Sequence, residues 1–257
     1  TLVVSQFAIS ISLVLATILI FQQLKYMKNE KLGMNPNQLL VVRGPEIGMD
    51  STFKQRKSSF INQVQQESFV QQFSASGSYP GGWYNFSTSG FTQPGSKPGD
   101  ELKAYSFAII DHRYLDTYEI KLKAGRNFTE GECAVEWNDN SKVMLNEKGI
   151  KELGFASADE AVNKKIKWDE RYLDIIGVVA DYHHMGLQRT IEPIIFYPQQ
   201  NSAYLTIKIG TQNIQQNIAK LEGIYKKTFT GNPFEYFFVD DNFNKQYAAE
   251  TQYGQLF

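Results

Sequence analysis

The sequence predicts an α+β fold in which an N-terminal transmembrane and stalk helix precedes two split β-α-β units that flank a mainly β insertion. Three observations predict it. No charge interrupts residues 2–21. The order strand, helix, strand is written twice, once soon after that helix and once near the C-terminus. Between those units, turn-rich segments alternate with short apolar runs of strand character.

A run of ~20 apolar residues crosses the ~30 Å hydrocarbon core as a helix, because lipid supplies no partner for an open backbone group. Residues 2–21 have that length, and Ser5, Gln6, Ser10, Ser12 and Thr17 do not align into the polar stripe of a core helix. The basic flank and small-x-small cleavage site of a signal peptide are missing. Lys25, Lys28 and Lys31 beyond the run, taken alone, favour a cytoplasmic exit. Residues 22–31 continue helically as a stalk until Gly33 and Asn35-Pro36 end it. A start at Thr1 rather than Met reads as a chain cut from a longer one.

Residues 39–42 form a short apolar strand. Asp50 or Ser51 caps a helix that places Phe53, Phe60, Ile61 and Val64 on one face, and residues 69–76 make the next strand. The order returns with a strand at 204–209 and a helix capped by Thr211, on which Ile214, Ile218, Leu221 and Tyr225 recur at helical spacing. Gly231-Asn232-Pro233 breaks that helix before a strand at 234–239. In the insertion, strands are expected at 104–110, 142–145, 172–179 and 193–197. Ser157 with Glu160 reads as a capping box, and Gly154 ends the preceding helix. The tail from Asp240 puts Phe243 and Tyr247 on one helical face, and a second membrane helix is expected after Phe257.

A net charge of −1 gives no electrostatic reason to expect nucleic acid. The single cysteine, Cys133, rules out an internal disulfide framework, and its acidic neighbours Glu132 and Glu136 argue against a reactive thiolate. There is no G-x-x-x-x-G-K-[ST] loop, G-x-S-x-G elbow, H-E-x-x-H pair or C-x-x-C. Asp181, His183 and His184 resemble a metal cluster, with Asp111-His112 as a distant second pair. Neighbours on an extended chain point to opposite faces, so the two histidines are poorly placed for one ion. Catalytic, cofactor and metal sites are therefore all expected to be absent. The remaining candidate is the Gly-rich loop at 79–99, whose Trp83, Tyr84, Phe86 and Phe91 either hold a ligand or partner or pack into the β insertion. Large aromatics mostly serve packing, which favours the second.

The stretch Tyr114-Leu115-Asp116-Thr117-Tyr118, with Ile120 to Phe128 after it and Ala124-Gly125-Arg126-Asn127-Phe128 at its end, resembles a signature of the MacB/FtsX-type ABC-transporter permeases. Val143 to Glu147, Leu153-Gly154-Phe155, Ala161 to Ile166, Ile175 to His183, Leu187 and Ile191 to Ile195 come next, in that family's order. Phe7 to Ser10 and Leu32-Gly33-Met34-Asn35 are similar to these permeases too, most of all those of Bacteroidetes-type bacteria. Asn163 stands where the family often has Gly, and Tyr182 where it often has Phe.

The resemblance implies a porter-like subdomain made by the two β-α-β units, with the β insertion as a second subdomain. Residues 1–31 are then transmembrane and stalk helix, 32–78 the first half of the porter-like subdomain and 79–200 the insertion. Residues 201–240 are the second half, and 241–257 a helix returning to the membrane. It also implies a soluble part in the periplasm, against the lysine count, and an inner-membrane permease dimer. A cytoplasmic ABC ATPase subunit would be its motor, and a periplasmic adaptor or client a further partner. The competing expectation is a membrane-tethered sensor or adaptor binding through the 79–99 loop. An anchored hydrolase ranks last, since it lacks any triad or metal site.

Several motif residues carry a structural expectation as well. Gly125 suits a crowded turn, and Gly177 a bulge or close backbone approach. Glu192-Pro193 leads into an edge strand. Arg126 and Asp181 are expected to pair.

Overall fold

The computed structural model describes residues 2–29 and 31–245. Helix α1 (Leu2–Asn29) is followed by β1 (Leu39–Arg43), α2 (Phe53–Gln65) and β2 (Val70–Ser76). The insertion carries β3 (Phe86–Thr88), β4 (Phe91–Thr92), β5 (Tyr105–Ile110), α3 (Tyr114–Tyr118), β6 (Leu122–Gly125) and α4 (Glu130–Cys133). It continues with β7 (Lys142–Asn146), α5 (Glu147–Glu152), α6 (Ala158–Ala161), β8 (Lys165–Trp168), β9 (Arg171–Val179) and β10 (Ile194–Pro198). The chain then returns through β11 (Tyr204–Ile209), α7 (Ile214–Thr228) and β12 (Tyr236–Phe238). Residues 239–245 are helical, while Tyr247 and the rest of the expected return helix lie outside the described residues.

The four strands from the two chain ends form one sheet in the order β12-β1-β11-β2, every neighbour antiparallel. β1 and β2 therefore run parallel with β11 between them, and β11 and β12 run parallel with β1 between them. Each half of the sequence thus supplies strands that only the other half can separate. β1 shows why the sheet is buried on both sides. Leu40 and Val42 face α2 and α7 together with Phe60, Leu221 and Tyr225, while Leu39 and Val41 face the insertion.

The insertion is an eight-stranded mixed sheet in the order β3-β5-β10-β7-β9-β8-β4, with β6 also paired to β9. Its two ends belong to one short segment. β3 pairs with β5 and β4 with β8, although only Ser89 and Gly90 separate β3 from β4. That segment curls the sheet around a core in which Phe107 packs on Phe91 and Trp168 at ring-centroid distances of 6.1 and 5.2 Å.

Several expectations change. Thr52, not Asp50 or Ser51, precedes α2, and its side chain makes no cap. Asp50 instead accepts from the Thr52 amide at 2.8 Å, one residue early. Asn213 in a left-handed conformation opens α7, displacing Thr211. Ser157 does cap α6 through the Glu160 amide, but the Glu160 carboxylate reaches Ala156 rather than Ser157. Val239 leaves the strand expected at 234–239 and starts a helix. β10 is an interior strand between β5 and β7, not an edge, because Pro193 precedes it and uses only its carbonyl, accepting from Ser106. Arg126 pairs with Glu132 at 2.6 Å, which holds that carboxyl down at about 2. Asp181 is taken by the Lys148 amide.

Among the described residues no helix is long and apolar enough to cross a membrane. In α1 the continuous stretch of described side chains is 3–19, and of these only Thr17 is less than exposed.

Candidate coupling junction

The sheet of the two halves and the curled insertion meet on α3 and on the loop between β9 and β10. Tyr118 of α3 is buried between the sheets, and its hydroxyl pairs with Thr206 Oγ1 at 2.8 Å. Thr206 is itself fully buried on β11, so the pair satisfies two hydroxyls that solvent does not reach. One residue on, Glu119 takes a left-handed backbone (φ 55°) and receives Lys208 Nζ and, at 3.0 Å, Asn35 Nδ2. The Tyr114–Tyr118 motif is therefore the seam between the two halves of the molecule.

The segment after α1 is fastened to the same seam. The His183 amide donates to the Leu32 carbonyl at 2.8 Å, and the Asn35 amide to the Tyr118 carbonyl at 2.9 Å. Leu32 and Met34 pack on the shared core. Gly33 passes so close that a Cβ there would lie 2.9 Å from both the Asp181 carbonyl and Tyr182 Cβ. At the other end of the fold, Phe243 is buried in that same core, and Asn242 Nδ2 donates to the Gly81 carbonyl at 3.0 Å. The Gly81 amide in turn donates to the His184 carbonyl at 2.6 Å. The segment after α1 thus bonds the loop of residues 181–184 directly, and the C-terminal helix reaches the same loop through Gly81.

His184 turns into the interior from that loop. It is fully buried, stacks on Tyr84 at 4.2 Å and bonds Tyr182 Oη through Nδ1 at 2.9 Å. Burial drives its pKa down to about 3, so the ring is neutral at pH 7. The unfolded chain binds a proton below about 6.5 that the folded chain refuses, so the stability present above that pH is lost as pH falls towards 3. We expect unfolding free energy to drop by up to about 1.4 kcal/mol per pH unit over that window. His184→Phe keeps the stack and should flatten the slope between pH 6.5 and 5, read by urea titration at each pH.

The residues singled out from the sequence separate here. Phe91 is 1% exposed and closes the insertion core, and Phe86 stacks on Phe107 at 4.6 Å. Tyr84 stacks in the junction. Trp83 stands furthest out in solvent, 72% exposed, under the Arg189 guanidinium at 5.0 Å. The four aromatics do not form one surface. Among the described residues no group of three or more His, Cys, Asp or Glu side chains is placed to hold a metal. Cys133 is buried, and burial before its acidic neighbours pushes its thiol up to about 12. Sequence patterns missed Leu32, Gly81 and Asn242, because a backbone carbonyl and an asparagine carry no signal of what they touch.

The architecture defines a class of protein: an α+β domain of two sheets, entered through one long helix. The family model described as the MacB-like periplasmic core domain matches residues 2–225, and the chain belongs to that family. In structure it is similar to the periplasmic region of MacB from Actinobacillus actinomycetemcomitans, with a TM-score of 0.53 and 19% identity over 84% of this chain and 94% of that one. It is also similar to the extracellular domain of the noncanonic ABC-type transporter YknZ from Gram-positive bacteria, with a TM-score of 0.51 and 12% identity over 77% and 97%. At these identities the likeness is one of fold. No curated protein sequence matches the chain.

Proposed function

We propose that this domain converts movement of α1 into movement of the curled sheet on the far side of a membrane. A partner ATPase in the cytoplasm drives it, and a dimer of permease subunits pushes a client outward. In this reading residues 2–21 of α1 lie in lipid at the inner membrane, with the two sheets in the periplasm. Three features support it. The run is uncharged, its described side chains are almost all exposed, and ~20 residues match the hydrocarbon thickness.

The observation that carries the proposal is the double attachment of the segment after α1, to His183 and to Tyr118. A helix ending on a flexible linker would dissipate its displacement. Here the segment after α1 is bonded at Leu32, directly after Lys31, and again at Asn35. Displacement at that end therefore reaches the seam at Tyr118 and the loop at His183 together.

Co-purification of the full-length permease from membranes is expected to bring down a stoichiometric P-loop ATPase, whose turnover is lost when its Walker lysine is replaced. Four glycines inserted between Lys31 and Leu32 should leave ATP turnover intact. They should also abolish the ATP-dependent change in distance between spin labels on β8 of the two permease copies. Recovery without an ATPase but with a signalling partner would favour the tethered sensor. A label response that survives the insertion would remove the lever.

A further inference from the structure

A cleft of about 230 Å³ opens between α2 and the end of β5. Its wall holds Lys57, Asp111, His112, Arg113, Glu130 and Gln200. Two of these charges are nine-tenths buried, Lys57 at 7% and Asp111 at 8% exposure, which is rare for either residue unless it is paired.

Asp111 is accounted for. Its Oδ1 accepts from Ser74 Oγ at 2.7 Å and the Arg113 amide at 3.1 Å, and its Oδ2 from the Ala75 amide at 2.8 Å. Lys57 is not. An ammonium has three donors, and Nζ bonds the Gln200 carbonyl at 3.0 Å. Burial also lowers its pKa. A purely apolar side chain would span the same distance from α2 without that cost. Beside it, Arg113 is held in place from one edge, its Nε donating to His112 Nε2 at 3.1 Å. The other edge of the guanidinium is left to the cleft.

We propose that this cleft binds the carboxylate of a small ligand, with Lys57 Nζ and the Arg113 guanidinium as its two cationic donors. The planar fork of Arg113 matches a planar carboxylate. A cleft below the ~300–1,000 Å³ of drug-sized sites takes a ligand the size of one amino-acid residue. Free acyl amino acids and the C-terminal residue of a peptide share that chemistry. A bound ligand would bridge α2 and the start of α3 and so hold the two sheets together. The proposal stands on the cleft itself and is independent of what drives α1.

The test uses the full chain in detergent and isothermal titration with N-acetyl-L-alanine, its primary amide, trialanine and inorganic phosphate. Binding of N-acetyl-L-alanine at least tenfold tighter than of its amide is expected, with a further tenfold loss in Arg113→Gln and in Lys57→Met. Arg113 is half-buried and holds no strand, so its variant should fold even if that of Lys57 does not. Tighter binding of trialanine would assign the site to peptide termini, and binding of N-acetyl-L-alanine alone to free acids; either supports the proposal. Equal affinity for the amide, equal affinity for phosphate, no binding of any probe, or an unchanged affinity in Arg113→Gln would overturn it.

Discussion

Gly125→Ala and Gly177→Ala are each expected to destabilise the fold by about 2–4 kcal/mol, enough to leave little folded protein at 37 °C. The two glycines face each other across β6 and β9, paired in register. At Gly125 the backbone is left-handed (φ 75°), and a Cβ would lie 2.3 Å from the Ile176 carbonyl oxygen. At Gly177 it would lie 2.5 Å from the Arg126 carbonyl oxygen. Both obstacles are backbone, so no side chain can swing away. The left-handed conformation adds about 1 kcal/mol at Gly125 alone, which makes it the worse of the two. Because both substitutions push on the same crossing, the double variant should cost less than their sum. Urea unfolding monitored by tryptophan fluorescence checks this; a loss below about 1 kcal/mol at Gly125 would mean that β6 can leave β9 without consequence.

Asp111→Ala is the second large effect, about 3 kcal/mol. It leaves the amides of Ala75 and Arg113 and the Ser74 hydroxyl without an acceptor, in surroundings where water does not reach Ala75 or Ser74. The outer edge of β2 is covered at this point by that carboxylate, which is one way a sheet protects an unpaired edge. Asp111→Asn retains one acceptor oxygen and should lose about 1 kcal/mol. The contrast between the two substitutions is the diagnostic. Equal losses in urea titration would show that the carboxylate charge, and not its acceptor geometry, holds β2 to β5.

The aromatic loop shows most plainly how far sequence reading reaches. Trp83, Tyr84, Phe86 and Phe91 are close in sequence, and their alternatives, surface or core, cannot be told apart by composition. The outcome depends on partners far along the chain: Trp168 for Phe91, His184 for Tyr84, Arg189 for Trp83. The pairing expected between Arg126 and Asp181 failed for the opposite reason. Thr129 caps α4 and turns Glu132 back within reach of Arg126, so a local carboxylate outcompetes a distant one.

Local physics determined the fold class of this protein. Period-2 and period-3.6 apolar patterns set the strands of both chain ends and the faces of α2 and α7. The order of the family's motifs pointed to a permease domain before any contact was known. Backbone crowding made Gly125 and Gly177 legible as well, since only a glycine tolerates such an approach. Tertiary structure decided the interleaving of the two β-α-β units, the closing of the insertion by residues 86–92, and the gathering of both connections at residues 181–184. It also placed Lys57 beside Arg113. Those results rest on hydrogen bonds and contacts between residues far apart along the chain, and a backbone carbonyl looks the same in sequence whichever amide finds it.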